Sequence, residues 1–342
     1  MSVKYLFIKS IELIKTLSDP FFFIYRVFHY ANTYVPIGLA KIIYRINMYD
    51  IKRSGVGDFL LDTYDGGGQF VHPDCTYYDD QYWLVITPYP YGMDEYENPC
   101  IYRGDNYDLL SPPIKPIAVQ RKHDRGIHLS DPVFANNSKS LLCFYRESEQ
   151  IGENEENRIY AIEYNKSTNS WGIPYLILAS FDDKILSPAM IYNNVGDLIM
   201  YYVSTRDDKY SLVSRNIKNV SSKSPIYKHR VFGIPDGYDL WHIGITKVTD
   251  IDPTAEFKDL LAGLFLIKSQ SGEGGFRLFE AKCNNYLSDW FVVHEVEIPL
   301  DVKKIMAFPY KSCFIPRQND KIFLSFRDKK KRNRMLIINN TI

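Results

Sequence analysis

Beyond residue 70 the chain repeats one hydrophobic pattern. A polar step, often ending in Pro, leads into a short apolar run, a turn, and a second run rich in aromatic and β-branched residues. In the first copy His72-Pro73-Asp74 precedes 75–78, Asp79-Asp80 turns the chain, and Tyr82-Trp83-Leu84-Val85-Ile86 follows. The second copy is Ser130-Asp131-Pro132, 133–134, a turn at Asn136-Asn137, and 141–145. The third is Leu186-Ser187-Pro188, 189–192, a turn at 193–197, and 198–203. Leu240-Trp241-His242 opens the fourth, with strands over 243–248 and 261–267. Tyr310-Lys311-Ser312 opens the fifth, with strands over 313–315 and 322–326. Short runs separated by Asn, Asp and Gly turns predict antiparallel strands. The copies start at 72, 131, 187, 242 and 311, a period that suits a four-stranded sheet with its connections. Third strands are predicted over 158–164, 210–215, 276–281 and 335–338. The fold class is therefore all-β, a five-bladed β-propeller over 51–342. Its ring closes by pairing the C-terminal strand with a segment near 58–61, which removes free sheet edges. Helical spacing in this region is confined to 254–261.

The first 50 residues follow a different rule. Apolar positions over 3–17, 21–30 and 37–46 have helical spacing, with Lys or Arg on the opposite face. Two readings remain open: a helical arm packed on the propeller, or an interfacial membrane anchor around Phe21-Phe22-Phe23 with Arg26, Lys41 and Arg45. Charges interrupt the apolar residues of 3–17, and no small-residue cleavage site follows, so a secretory signal is not expected. The expected location is the cytoplasm, with peripheral membrane contact through residues 1–50.

Composition narrows the function. Lys+Arg and Asp+Glu each number 41 in 342 residues, so no net field draws the protein to nucleic acid. The basic run 329–332 reads as a solvated hairpin. Gly272-Glu273-Gly274-Gly275 is too short for a phosphate loop. The five cysteines are scattered without a CxxC pair, which argues against a cysteine-based zinc site. The 27 tyrosines suit strands, and also clefts that receive sugar rings. No cofactor and no metal is expected. The sequence sets no oligomeric state.

In a propeller the innermost strands line the axis, so residues at their start converge in one funnel. Those residues here are His72, Asp74, Asp131, Ser187, His242 and Lys311, all polar before apolar strands. On these residues the chain resembles the superfamily of arabinanases, levansucrases and invertases. The segments 82–90 and 97–101, with His72-Pro73, Trp241-His242-Ile243 and Tyr310-Lys311-Ser312, are similar to glycoside-hydrolase-like propeller proteins of bacteria and phages.

The resemblance implies a glycan substrate and axial carboxylates from the first three blades. Asp131 matches the second-blade position. His72 stands at the first, with Asp74 two residues on as the carboxylate that substitutes. Ser187 stands at the third, with Asp182 and Asp183 just before it. Glu97 supplies a further carboxylate. The catalytic candidates are thus Asp131, Asp74, His72 and Glu97, an incomplete version of the expected triad. Arg146, Ser187, Trp241, His242, Tyr310, Lys311 and Tyr89 are the candidate sugar-binding residues, and His242 is also where some relatives hold an axial cation. A carbohydrate-active enzyme and a non-catalytic glycan-binding module are both compatible with this set. So is a component of surface-polysaccharide assembly at the membrane.

Overall fold

A computed structural model describes residues 57–340, apart from 66, 93, 111–126, 152–153, 182, 206–209, 218–224 and 273–274. The helical segments expected over 1–50 lie outside the described residues, as does Asp182. Among the described residues no helix is long and apolar enough to cross a membrane.

Five antiparallel sheets follow one another along the chain. Blade 1 contains β1 (Phe70–Tyr78), β2 (Gln81–Pro88) and β3 (Cys100–Gly104). Blade 2 contains β4 (Ile127–Asn136), β5 (Leu141–Ile151), β6 (Asn154–Asn165), β7 (Ser170–Trp171) and β8 (Tyr175–Ser180). Blade 3 runs β9 (Ile185–Tyr192), β10 (Leu198–Ser204), β11 (Ser211–Asn216) and β12 (Tyr227–Lys228). Blade 4 holds β14 (Tyr238–Lys247), β15 (Leu261–Ser269), β16 (Phe276–Cys283) and β17 (Trp290–Glu295), with β13 (Val231–Phe232) as an outer parallel strand. Blade 5 holds β18 (Met306–Pro309), β19 (Cys313–Phe314), β20 (Lys321–Asp328) and β21 (Asn333–Asn339).

The ring closes where expected. Asp58 bridges Leu336, the Phe59 amide donates to the Met335 carbonyl at 2.8 Å, and Asp58 accepts from Arg334 Nε at 2.9 Å. Near 254–261 the chain makes turns, and the only helix of that connection is a single turn, α1 (Val248–Ile251). A four-residue turn this short has no amphipathic period to read. In the basic hairpin Lys329, Lys330 and Lys331 are exposed, whereas Arg332 is buried and donates to Asp328 through Nε at 2.8 Å.

The core is five separate apolar clusters, one at each junction of neighbouring blades. Middle strands bury both faces. On β2, Leu84 and Ile86 pack toward blade 5 while Trp83 and Val85 pack toward blade 2. That is why the middle strands read as unbroken apolar runs rather than as alternation. Gly244 marks the closest approach of two inner strands, since a Cβ there would lie 2.2 Å from the Ser312 carbonyl oxygen.

Candidate functional site

The inner strands carry a shared irregularity. Strand β1 pairs regularly with β2 except between Val71 and Asp74, and β4 with β5 except between Ser130 and Val133. The β9–β10 ladder breaks between Leu186 and Ala189, and the β14–β15 ladder between Leu240 and His242. In the first three blades the break holds an X-Pro pair: His72-Pro73, Asp131-Pro132 and Ser187-Pro188. Proline has no N–H for the ladder, so it is tolerated in a strand interior only at such a bulge. The preceding residue takes a left-handed backbone, with φ of 53° at His72, 51° at Asp131 and 48° at Ser187. For a residue with a Cβ this costs about 1–3 kcal/mol, and such strain clusters at functional sites. The side chains are not strand openers, as sequence spacing suggested. Strand β1 begins two residues earlier at Phe70, and β4 begins at Ile127. The proline removes the pair from a strand already under way.

Three of the bulge residues meet at one point. Asp131 Oδ1 lies 3.7 Å from His72 Nδ1 and 3.9 Å from His242 Nδ1. The two imidazole rings are 5.1 Å apart between centroids. The other carboxylate oxygen, Oδ2, faces Arg146 Nη2 at 3.2 Å. Arg146, on the middle strand β5, is braced by Ser130 Oγ at 3.0 Å and by Asn157 Oδ1 and the Ile185 carbonyl, each at 3.3 Å. It therefore joins the central charge instead of standing in solvent.

The electrostatics follow from burial and from these partners. Asp131 is 1% exposed. Burial opposes its ionisation, but the positive charges of His72 and Arg146, then His242 and Lys311, outweigh it and hold the carboxyl well below the usual range. Burial pushes His72 down to about 4, against the pull of Asp131. His242 is pushed down to about 3, again by burial first and then by His72. Burial thus holds both imidazoles below their ordinary range, and the Arg146 guanidinium is the cation in direct contact with Asp131.

Glu97 stands on the connection between β2 and β3. A short 3-10 turn, Asp94–Tyr96, ends with the Glu97 amide donating to the Asp94 carbonyl at 2.9 Å. The Leu129 amide donates to the Glu97 carbonyl at 3.4 Å, tying this connection to β4. Burial, then the charge of Asp94, raises the Glu97 carboxyl well above the ordinary range. Arg146 opposes that rise and Asp131 adds to it. Tyr310 lies 6.0 Å from the His72 ring and 6.4 Å from Tyr89, so two tyrosine rings stand on the His72 side of the cluster. Trp241 is half-buried against Tyr210, with Lys268 Nζ 4.7 Å from its ring centroid.

The remaining candidates lie elsewhere along the axis. Asp74 Oδ2 accepts from the Phe134 amide at 2.7 Å, and the residue lines a cavity at the other ends of the inner strands with Asn136, Tyr192, Lys247 and Asp250. The bulge between His72 and Asp74 breaks the strand alternation that would have put both on one side. Ser187 Oγ donates to the Ile243 carbonyl at 2.9 Å and accepts from the Ile243 amide at 3.0 Å. Lys311 is 1% exposed, donates to the Pro188 carbonyl at 3.1 Å, and is felt by both Asp74 and Asp131. Asp183 accepts from Ser204 Oγ at 2.6 Å and from the Tyr202 hydroxyl at 3.3 Å. The structure thus gathers His72, Asp131, His242 and Arg146, ties the Glu97 backbone to β4 beside them, and leaves Asp74 and Ser187 in contacts between blades.

The facing of His72, His242 and Asp131 was not legible as a ligand set. Their sequence separations carry no metal spacing. The five-fold repeat is what places all three in one funnel.

No protein-family model and no curated protein sequence matches this chain. Among solved structures, a xylan β-1,4-xylosidase from Bacillus halodurans aligns over 79% of this chain and 52% of its own, with TM-score 0.54 and 11% identity. This chain thus spans about half of that enzyme. An endo-arabinase from Bacteroides thetaiotaomicron aligns over 80% and 95%, with TM-score 0.53 and 10% identity. The GH43_1 enzyme from Xanthomonas citri, complexed with xylose, aligns over 79% and 87%, with TM-score 0.51 and 10% identity. At such identity the likeness is one of architecture, and on that ground the chain is a five-bladed β-propeller of the form found in family-43 xylosidases and arabinanases.

Proposed function

We propose that the protein binds a glycan at the mouth formed by Glu97, Arg146, Asp131, Tyr89 and Tyr310, and acts on it as a glycoside-hydrolase-like enzyme. The observation that carries this reading is the pair Glu97 and Asp131. Their environments push two carboxyl groups in opposite directions, which separates an acid from a fixed negative charge. Glu97 donates its proton to the departing glycosidic oxygen. The Asp131 charge favours the positive charge that builds on the sugar ring as that bond breaks. A water or sugar hydroxyl then bonds to the anomeric carbon, and its proton passes to solvent, from which Glu97 is recharged. Arg146 holds the Asp131 carboxylate in place, and the tyrosine faces suit a pyranose ring.

A second reading is favoured by a specific observation. Asp74 and Ser187, which stand where the resemblance asks for a first-blade substitute and a third-blade acid, are both bonded to neighbouring backbone. A funnel that binds a glycan without cleaving it needs neither of them. The deciding experiment is a panel of oligosaccharides incubated with the full chain, reading reducing-sugar release and retention together. Release that is lost in Glu97→Gln and Asp131→Asn supports the enzyme. Retention without release supports the binding module, and neither result on any glycan removes both readings.

A further inference from the structure

Blade 5 carries a basic rim at the end of the molecule where the inner strands begin. Its inner strand is split at 310–312 into an opening half, β18, and a closing half, β19. The closing half pairs with the near part of β20, at Phe323 and Ile322. The opening half pairs with the far part, Pro309 opposite Phe326, Phe308 opposite Arg327 and Met306 opposite Asp328. The hairpin 329–331 therefore extends beyond β20 on the side where the strands open. A short helix, α2 (Leu300–Ile305), lies beside it, and the Lys329 amide donates to the Ile305 carbonyl at 2.8 Å. Lys303, Lys304, Lys329, Lys330 and Lys331 are all exposed. The side chains of Lys303, Lys304, Lys329 and Lys331 make no ion pair among the described residues.

The acids around them do not cancel this charge. Asp328 is buried and bound by Arg332 and Arg334, and Glu295 accepts from Arg277. Asp301 and Glu297 are the exposed carboxylates of this stretch. In a chain whose formal net charge is zero, the rim is a local excess of positive charge. A line of rings leads to it from the central cluster. His72 lies 6.0 Å from Tyr310, Tyr310 lies 5.2 Å from Phe308, and Phe308 stacks on Phe276 at 5.0 Å. Tyr310, Phe308 and Phe276 are half-buried, so each keeps some surface for a ligand. Arg327 hydrogen-bonds Tyr310, and a Cβ on Gly92 would lie 2.9 Å from its Nη1. It thereby joins the rim to the connection that carries Glu97.

We propose that this line of rings and the lysine rim form a subsite for an acidic polysaccharide, a chain bearing carboxylate or sulfate groups. The inference rests on the glycan reading and narrows its substrate class. Ring faces receive the apolar faces of sugar rings. Ammonium groups on long stems act as point charges without a fixed fork geometry, which suits acid groups repeated along a chain. The negative charges of Asp94 and Glu97 act on Tyr310 at the inner end of the line. They disfavour an acid group there, so the acid groups of the chain lie outward, over Phe308 and Phe276.

The test measures the affinity of the full chain for polygalacturonate and dextran sulfate, each beside its neutral counterpart, the carboxyl-reduced polymer and dextran. Phosphatidylserine vesicles and a single-stranded oligonucleotide serve as anionic surfaces of other classes. At low salt at least one acidic polymer should bind about tenfold or more tightly than its neutral counterpart. Raising salt from about 0.1 M to about 1 M shortens the screening length from about 10 Å to about 3 Å and should remove that preference. The combined variant Lys329→Gln, Lys330→Gln, Lys331→Gln should lose the preference by about tenfold and keep its affinity for the neutral polymers. A variant with Lys139→Gln, Lys228→Gln and Lys258→Gln removes the same charge from exposed positions elsewhere and should behave as the parent. Circular dichroism checks that both variants fold. Neutral polymers held as tightly as acidic ones would overturn this proposal and leave the glycan reading standing. Equal loss in the two variants, or vesicles or oligonucleotide bound as tightly as the acidic polymers, would overturn it as well. Retention of no polymer would also overturn it, and the oligosaccharide panel then judges the glycan reading separately.

Discussion

Asp131 and Ser187 occupy equivalent places in adjoining blades, and their side chains meet opposite fates. Each precedes a proline, sits in a bulge and takes the left-handed backbone. Ser187 bridges to the amide and the carbonyl of Ile243, so it fastens blade 3 to blade 4. Asp74 fastens blade 1 to blade 2 in a similar way through the Phe134 amide. Asp131 instead turns one oxygen, which has no hydrogen-bond partner among the described residues, toward two imidazoles. One backbone device thus serves two ends. Where the ejected side chain finds a neighbouring backbone it holds the ring together, and where it finds other side chains it builds a site. Strain by itself does not distinguish the two, and the kind of partner does.

The largest expected effect tests the site half of that contrast. Glu97→Gln should lower glycan turnover by about 10²–10⁴-fold, the range for loss of a general acid. Its melting temperature should stay near that of the parent. A loss of folding in step with the loss of turnover would move Glu97 to the structural side.

Gly244→Ala probes the fastening side at its tightest point. The added Cβ meets the Ser312 carbonyl at 2.2 Å, and backbone on both strands cannot yield cheaply. Urea denaturation should show a loss at the upper end of about 1–3 kcal/mol for overpacking. An unchanged midpoint would mean that blades 4 and 5 are not held this closely.

Ser187→Ala gives a smaller and more pointed effect. It strands the buried Ile243 amide and should cost about 1–3 kcal/mol, with glycan retention unaltered. Weakened retention at unchanged stability would reverse the roles assigned to Ser187 and Asp131.

The smallest effect concerns Asp65, whose environment is intermediate. One oxygen accepts from the Gly67 amide at 3.2 Å while the other has no hydrogen-bond partner among the described residues. Burial raises its carboxyl to about 6 from an ordinary 3.8. Across that window the folded chain keeps a proton that the unfolded chain has lost. This carboxyl's contribution to stability therefore falls as pH rises from about 4 to about 6. Asp65→Asn should flatten that part of the curve of melting temperature against pH. A slope that persists in the variant would assign it to another group.

Much of the architecture was readable because it is local. The runs 82–86, 141–145 and 198–203 are apolar throughout because middle strands of a propeller are covered on both faces, and turn residues separate them. The ring closure near Asp58 was readable from the need to cover an edge. The helical stretch near 254–261 was misread, since a few apolar residues in a turn imitate one helical period. Within the candidate site, Asp131 and Glu97 were legible as carboxylates near the polar steps of the repeat. The opposite directions in which their surroundings push them were not, because these depend on burial and on Arg146 arriving from another strand.

By itself the amino-acid order determined that this chain makes short strands in five repeats, and that polar residues recur where each repeat begins. Those properties follow from side-chain chemistry within a few residues. Only the tertiary structure decided which of those polar residues face one another. An ejected side chain takes its direction from the bulge, and those of Asp131 and Ser187 meet residues of other blades, His72, His242 and Ile243, beyond the reach of any local rule.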